Sequence, residues 1–86
     1  MEIFYKPSFV RAFQRLEKDL QDEVIEKVTR FKDVNSHKSL KVHALHGELK
    51  GFYSFSVNYR YRIVFVFARG KREAHLIAIG DHKVYQ

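Results

Sequence analysis

The sequence predicts an α+β domain with an N-terminal strand, an antiparallel helical hairpin and then a three-stranded antiparallel meander, all in one mostly antiparallel sheet. Apolar residues recur every three or four positions before residue 32 and every second position after residue 51. The chain has 86 residues, 45% of them hydrophobic, and no cysteine. We therefore expect residues 1–86 to form a single domain without a disulfide or a thiolate metal site.

The N-terminal half is patterned for one strand and two helices. Residues 2–6 alternate and contain β-branched and aromatic side chains, as a short strand does. Ser8 is the predicted N-cap of the first helix and Asp19 that of the second. The second helix ends near Lys32, and its apolar stripe consists of Leu20, Val24, Val28 and Phe31. Because the two helices are joined so closely, they should form a hairpin on one face of the sheet.

The C-terminal half is patterned for strands. Residues 52–57 predict a strand with one buried face and a polar face formed by Ser54 and Ser56. Residues 59–68 predict a second strand, with a buried face made of Tyr61, Ile63, Phe65 and Phe67. Residues 69–71 are the predicted hairpin turn, and a third strand covers residues 73–79 and stops at Gly80. Residues 41–53 combine histidine, lysine and glycine, which indicates a functional loop.

Positive charge is concentrated after residue 40. Residues 41–86 hold eight Lys or Arg against three Asp or Glu, whereas residues 1–40 hold eight against seven. This charge would attract a polyanion such as RNA or DNA, or an acidic protein. No apolar run approaches the roughly 18 residues of a membrane span, and the first residues lack the pattern of a signal peptide. We therefore expect a cytoplasmic protein that does not enter a membrane.

Three segments resemble a known family: His43-Ala44-Leu45-His46-Gly47 with Lys50-Gly51, then Tyr59-Arg60-Tyr61-Arg62-Ile63-Val64-Phe65, and Ile79-Gly80-Asp81-His82-Lys83-Val84-Tyr85. Together with the order of elements they resemble the RelE/ParE toxin superfamily of bacterial toxin–antitoxin systems, most of all its RelE and YafQ-like mRNA interferases. The resemblance covers nearly the whole chain. It implies a toxin that cleaves mRNA in the ribosomal A site, needs no small-molecule cofactor and is silenced by a cognate antitoxin.

Metal-free RNA cleavage needs a base for the attacking 2′-OH, a cation for the phosphorane oxygens and an acid for the leaving 5′-oxygen. Histidine and arginine supply these groups near neutral pH. By resemblance, His43 is the base, Arg62 the phosphorane clamp and His82 the acid, while Tyr85 stacks on a base or holds the RNA. The candidate RNA-binding residues are Lys41, His46, Lys50, Arg60 and Lys83.

The sequence departs from the family pattern and leaves alternatives open. RelE has a catalytic lysine pair where this chain has Ser54 and Ser56, and the acidic residue that assists YafQ has no clear equivalent in residues 58–61. The alternatives are a ParE-like inhibitor of DNA gyrase without nuclease activity and a non-toxic basic regulatory module. Arg62 could also be a structural partner of Asp81 or Glu48. His43 and His46 have metal-ligand spacing but no evident third ligand, so we expect no metal site.

Overall fold

The structure is a computed structural model that describes residues 1–81. Its elements are β1 (Glu2–Tyr5), α1 (Pro7–Gln14), α2 (Lys18–Phe31), β2 (His43–Ala44), β3 (Tyr53–Ser56), β4 (Tyr61–Ala68) and β5 (Glu73–Asp81), with 3₁₀ turns at Val34–Ser36 and Gly47–Leu49. The strand order is β1-β5-β4-β3-β2, in which β1 and β5 are parallel and the other pairs are antiparallel. The predicted α+β class with a mostly antiparallel sheet is confirmed. Within residues 1–81, no helix is long and apolar enough to cross a membrane.

Both predicted helix caps are wrong. Helix α1 begins at Pro7, whose fixed φ suits the first helical turn, so its N-cap is Lys6. The hydroxyl of Ser8 instead donates a hydrogen bond of 2.6 Å to the carbonyl of Ile77 in β5. Helix α2 begins one residue before Asp19 and has Glu17 as its N-cap. The Ser8 contact therefore ties α1 to the sheet rather than closing the end of the helix.

The predicted apolar stripe of α2 faces the sheet. Val24, Val28 and Phe31 are buried, and the ring of Phe31 stacks on that of Phe55, with 4.2 Å between the ring centroids. The strands contribute Phe55, Val57, Ile63, Phe65, Ala74, Leu76 and Ile79 to the same core cluster. The apolar face of the helix and the apolar faces of the strands thus pack together in one hydrophobic core.

The polar face predicted for β3 is wrong at Ser54, which is 0% exposed. Ser54 pairs with His43 of β2 on one side and with Val64 of β4 on the other. Its hydroxyl oxygen has no hydrogen-bond partner among the described residues. The sequence did not predict β2, so Ser54 could not be recognised as lying on a central strand.

Two other boundaries differ from the prediction. Strand β4 begins at Tyr61 because the side-chain oxygen of Asn58 accepts hydrogen bonds from the backbone N–H groups of Arg60 and Tyr61, which closes a turn before it. Strand β5 continues past the predicted stop at Gly80, since Gly80 still pairs with Arg62 in β4. Gly80 therefore does not end β5. Because it has no side chain, the position opposite Arg62 in the sheet carries none.

The buried, unpartnered hydroxyl of Ser54 predicts an unusual response to substitution. We expect Ser54→Ala to leave the free energy of unfolding unchanged or to raise it by up to about 1 kcal/mol, because a polar group buried without a partner is unfavourable. The matched control is Ser8→Ala, which removes a hydroxyl that donates to Ile77 and should lower stability by about 1 kcal/mol. Urea unfolding of both variants is the measurement. A clear loss of stability in Ser54→Ala would show that this hydroxyl has a partner.

Candidate functional site

The strand register brings His43 and Arg62 to the sheet face that points away from the helices. His43 pairs with Ser54, and Ser56 pairs with Arg62. Paired residues and alternate residues of a strand share a face, and the buried residue between the two serines, Phe55, belongs to the helix-facing core. From a strand spacing of about 4.8 Å and the two-residue offset, the Cα atoms of His43 and Arg62 lie roughly 12 Å apart. The structure therefore places both predicted catalytic residues on one surface.

The backbone selects one tautomer of His43. Its Nδ1 lies 2.7 Å from the carbonyl oxygen of Lys41. A carbonyl oxygen only accepts hydrogen bonds, so Nδ1 carries the hydrogen and the neutral ring has its lone pair on Nε2. Lys41 adopts a left-handed backbone conformation with φ of 58°. The ring is exposed, and within residues 1–81 nothing bonds to Nε2, which is the nitrogen of the neutral ring that could take a proton.

The guanidinium group of Arg62 is held on one side by hydrogen bonds, and its other side has no partner among residues 1–81. Its Nη1 donates to the carbonyl oxygens of Asn58 and Tyr61. No residue in the range 1–81 accepts a hydrogen bond from Nε or Nη2. The remaining edge is a planar fork that matches two oxygens of a phosphate. The structure shows Arg62 bonded to these backbone carbonyls and not to Asp81 or Glu48.

Asn58 holds the turn that supports Arg62. Its side-chain oxygen accepts from the backbone of Arg60 and Tyr61, its carbonyl accepts from Arg62, and its Nδ2 donates to Oε1 of Glu23 at 2.9 Å. One amide side chain thus links helix α2 to the turn and to the start of β4. The carboxylate close to this turn is that of Glu23 in α2. It could not be found among residues 58–61 of the sequence because it comes from a distant segment.

A groove of about 350 Å³ opens beside Arg62, between helix α2 and the turn. Basic side chains outnumber the acidic one in its wall. The lining residues are Glu23, Lys27, Arg30, Ser39, Leu40, Lys41, Ser56, Val57, Asn58, Tyr59 and Arg62. Sequence reasoning missed Lys27 and Arg30, because the charge of the N-terminal half is nearly balanced. Their spacing could have revealed them, because residues 23, 27 and 30 lie on a single face of a helix.

Of the other predicted site residues, the structure describes His46, Lys50 and Arg60. His46 and Lys50 are exposed at the two ends of the 3₁₀ turn that follows β2. Arg60 lies in the turn with its guanidinium over the ring of Tyr61, 5.6 Å from the centroid. The remaining predicted residues, His82, Lys83 and Tyr85, lie outside the described residues. In the described range 1–81, no three residues of the metal-binding types His, Cys, Asp and Glu are grouped as a metal site would need.

The same architecture is found in solved structures of bacterial toxins. No family model and no curated protein matches the chain, but solved structures match over nearly its whole length. The toxin–antitoxin complex RelBE2 of Mycobacterium tuberculosis matches with a TM-score of 0.74 at 16% identity, over 94% of this chain and 96% of the matched one. YafQ of E. coli matches with a TM-score of 0.73 at 15% identity, over 96% and 94%. The YoeB/ParE toxin of Agrobacterium tumefaciens matches with a TM-score of 0.68 at 16% identity, over 95% and 99%.

At these identities the likeness concerns the fold. The chain has the fold of the RelE/ParE-type toxins, and the resemblance noted in its sequence is confirmed at that level.

The hydrogen bond between Asn58 and Glu23 predicts that a second substitution can restore the stability lost by a first one. We expect Asn58→Asp to lower the free energy of unfolding by about 1–3 kcal/mol at neutral pH, because two carboxylates would then face each other and a donor is lost. Adding Glu23→Gln restores a donor opposite the new carboxylate and should recover most of the loss. Glu23→Gln alone should have little effect. A double-mutant cycle by urea unfolding measures this coupling, and additive losses would mean that the two side chains do not interact.

Proposed function

We propose that this chain is the toxin of a type II toxin–antitoxin pair, a single domain of residues 1–86 that cleaves mRNA on the ribosome in the cytoplasm. The proposed chemistry is attack by the 2′-OH without a metal ion. The observation that carries the proposal is the pairing of two groups on one sheet face: the lone pair on Nε2 of His43 and the open edge of the Arg62 guanidinium.

Each group has a defined task in this reaction. Nε2 of His43 takes the proton from the 2′-OH, and the oxygen then attacks the adjacent phosphorus. The fork of Arg62 binds two phosphorane oxygens, where negative charge develops. As the bond to the 5′-oxygen breaks, that oxygen takes a proton, which we assign to His82 by resemblance. The products are a 2′,3′-cyclic phosphate and a 5′-hydroxyl. Ser54 and Ser56 supply no cation, so Arg62 carries the charge stabilisation on this part of the face.

An antitoxin is the proposed protein partner. The RelBE2 structure is a complex of a toxin with its antitoxin, and the present chain carries a net charge of +5 in residues 41–86. An acidic segment that folds on binding would be attracted to this half. We propose that it covers Lys50 and Arg62, or displaces the residues that follow β5, and so keeps RNA away from the site.

A ParE-like gyrase inhibitor is the second candidate. One neighbour carries both names, YoeB and ParE, and the serines in place of the RelE lysine pair also fit a protein without nuclease activity. An inhibitor that acts by binding gyrase has no need of the His43 tautomer or of the Arg62 fork. Substitution of these two residues therefore separates the two candidates.

Arg62→Ala should lower the rate of mRNA cleavage about 100-fold or more, because the charge on the phosphorane would lose its clamp. The measurement is mapping of RNA 5′ ends, together with growth, after expression without an antitoxin. The control is Arg69→Ala, which removes the same charge from the exposed end of β4, where Arg69 pairs with Glu73, and should leave cleavage intact.

Growth arrest by folded Arg62→Ala, with gyrase inhibited and mRNA intact, would favour the ParE-like candidate. If expression of the parent chain does not arrest growth and the chain cuts no RNA on ribosomes, the regulatory module is favoured instead.

His43→Gln should lower the first-order rate of cleavage by a factor of about 10²–10⁴, as expected for loss of a general base. Chelators should have no effect on either protein, because the proposed reaction uses no metal ion. His46→Gln is the comparison, since His46 lies three residues away and we assign it to RNA binding. Its loss should change KM rather than kcat. Equal effects of the two substitutions on kcat would refute the assignment of His43 as the base.

A further inference from the structure

Arg62 is shared by two surfaces of the molecule. It lies on the sheet face with His43, and its side chain turns toward Asn58 at the end of the strand. There it lines the groove whose other wall is helix α2. A phosphate held by Arg62 would therefore lie at the entrance of this groove.

The α2 wall of the groove has two basic side chains. Lys27 is half-buried and Arg30 is exposed, and they lie three residues apart on the same helical face. The carboxylate of Glu23 is bonded to Asn58, and Glu26 reaches Arg30 only at 3.9 Å with both side chains well exposed, a weak pairing. Lys27 and Arg30 are therefore available to an anion, and Lys41 adds a third cation.

An aromatic ring lies at the rim of the groove. Tyr59 lines the groove and is 92% exposed, so its ring is accessible to a ligand. No ring of residues 1–81 stacks on it, whereas the neighbouring Arg60 is turned onto Tyr61. A row of cations beside an exposed ring is the arrangement by which proteins bind single-stranded nucleic acid, with the phosphates on the cations and a base on the ring.

We propose that the groove between α2 and the Asn58 turn binds the single-stranded RNA next to the cleaved bond. In this arrangement Lys27 and Arg30 contact phosphates and Tyr59 stacks on a base. The inference rests on the proposed function, in that RNA is the substrate of the neighbouring site. An acidic peptide would explain the cations and the planar fork of Arg62, which binds a carboxylate as well as a phosphate, but it would offer no base to stack on the exposed ring of Tyr59.

The first test is the salt dependence of RNA binding. Fluorescence anisotropy of a labelled oligouridylate should show weaker binding to Lys27→Gln/Arg30→Gln. The slope of log K against log salt concentration should fall by roughly 1.4, as expected when two contacts to single-stranded phosphates are lost. The control is Arg11→Gln/Arg15→Gln, which removes two exposed charges four residues apart outside the groove. It should leave the slope within error of the parent.

The second test separates stacking from charge. Tyr59→Ser should weaken oligouridylate binding about tenfold without changing the salt slope, because stacking on a base does not release counterions. Tyr59→Phe keeps the ring and should bind as the parent does. If Tyr59→Phe binds as weakly as Tyr59→Ser, the ring does not stack on a base and this part of the proposal is wrong.

An oligoglutamate of the same charge distinguishes RNA from an acidic protein. If Lys27→Gln/Arg30→Gln loses affinity for oligoglutamate as much as for oligouridylate, and Tyr59→Ser affects neither, the groove is a general anion field and the RNA assignment falls. An unchanged oligouridylate slope, with cleavage still dependent on Arg62, overturns the groove and leaves the nuclease standing. A lower slope in a chain that cleaves no RNA supports the groove and overturns the nuclease.

Discussion

The packing of the Phe31 ring fixes helix α2 on the sheet. Phe31 is 0% exposed, stacks on Phe55 and meets the edge of Phe65 at 4.8 Å. His37 covers its remaining side at 4.7 Å and has Nε2 2.8 Å from the Phe31 carbonyl at the end of α2. Each such ring pair contributes about 0.5–1.5 kcal/mol beyond its buried area. Because Phe31 anchors the end of α2, it also sets where Arg30 lies relative to β3 and β4.

The features that sequence could predict are those that repeat. The stripe of Val24, Val28 and Phe31 persists over several turns, and the alternation in β4 persists over eight residues. Strand β2 has two residues, too few for any period to show. Its absence from the prediction explains the error at Ser54, because burial of that serine depends on a neighbour that the local pattern does not reveal.

The same distinction applies to the site. The segment from Tyr59 to Arg62 offers two arginines, and alternation alone places both on one face. The structure separates them, since Arg60 belongs to the turn and lies on Tyr61, whereas Arg62 is in β4 opposite Gly80. Lys27 and Arg30 join the site through the fold, because the tie between Glu23 and Asn58 brings α2 to the turn. Contacts between residues this far apart in sequence leave no pattern in either segment.

Lys41 connects the two parts of the proposed site. Its carbonyl oxygen receives the hydrogen bond from His43, and the residue also lines the groove beside Arg62. A left-handed conformation is unfavourable for a residue with a side chain, and here the fold maintains it at φ of 58°. The backbone of Lys41 thereby sets which nitrogen of the neutral His43 ring carries the hydrogen, while its own charge adds to the positive charge of the groove. The proposed base and the proposed anion-binding groove thus share one turn of the chain.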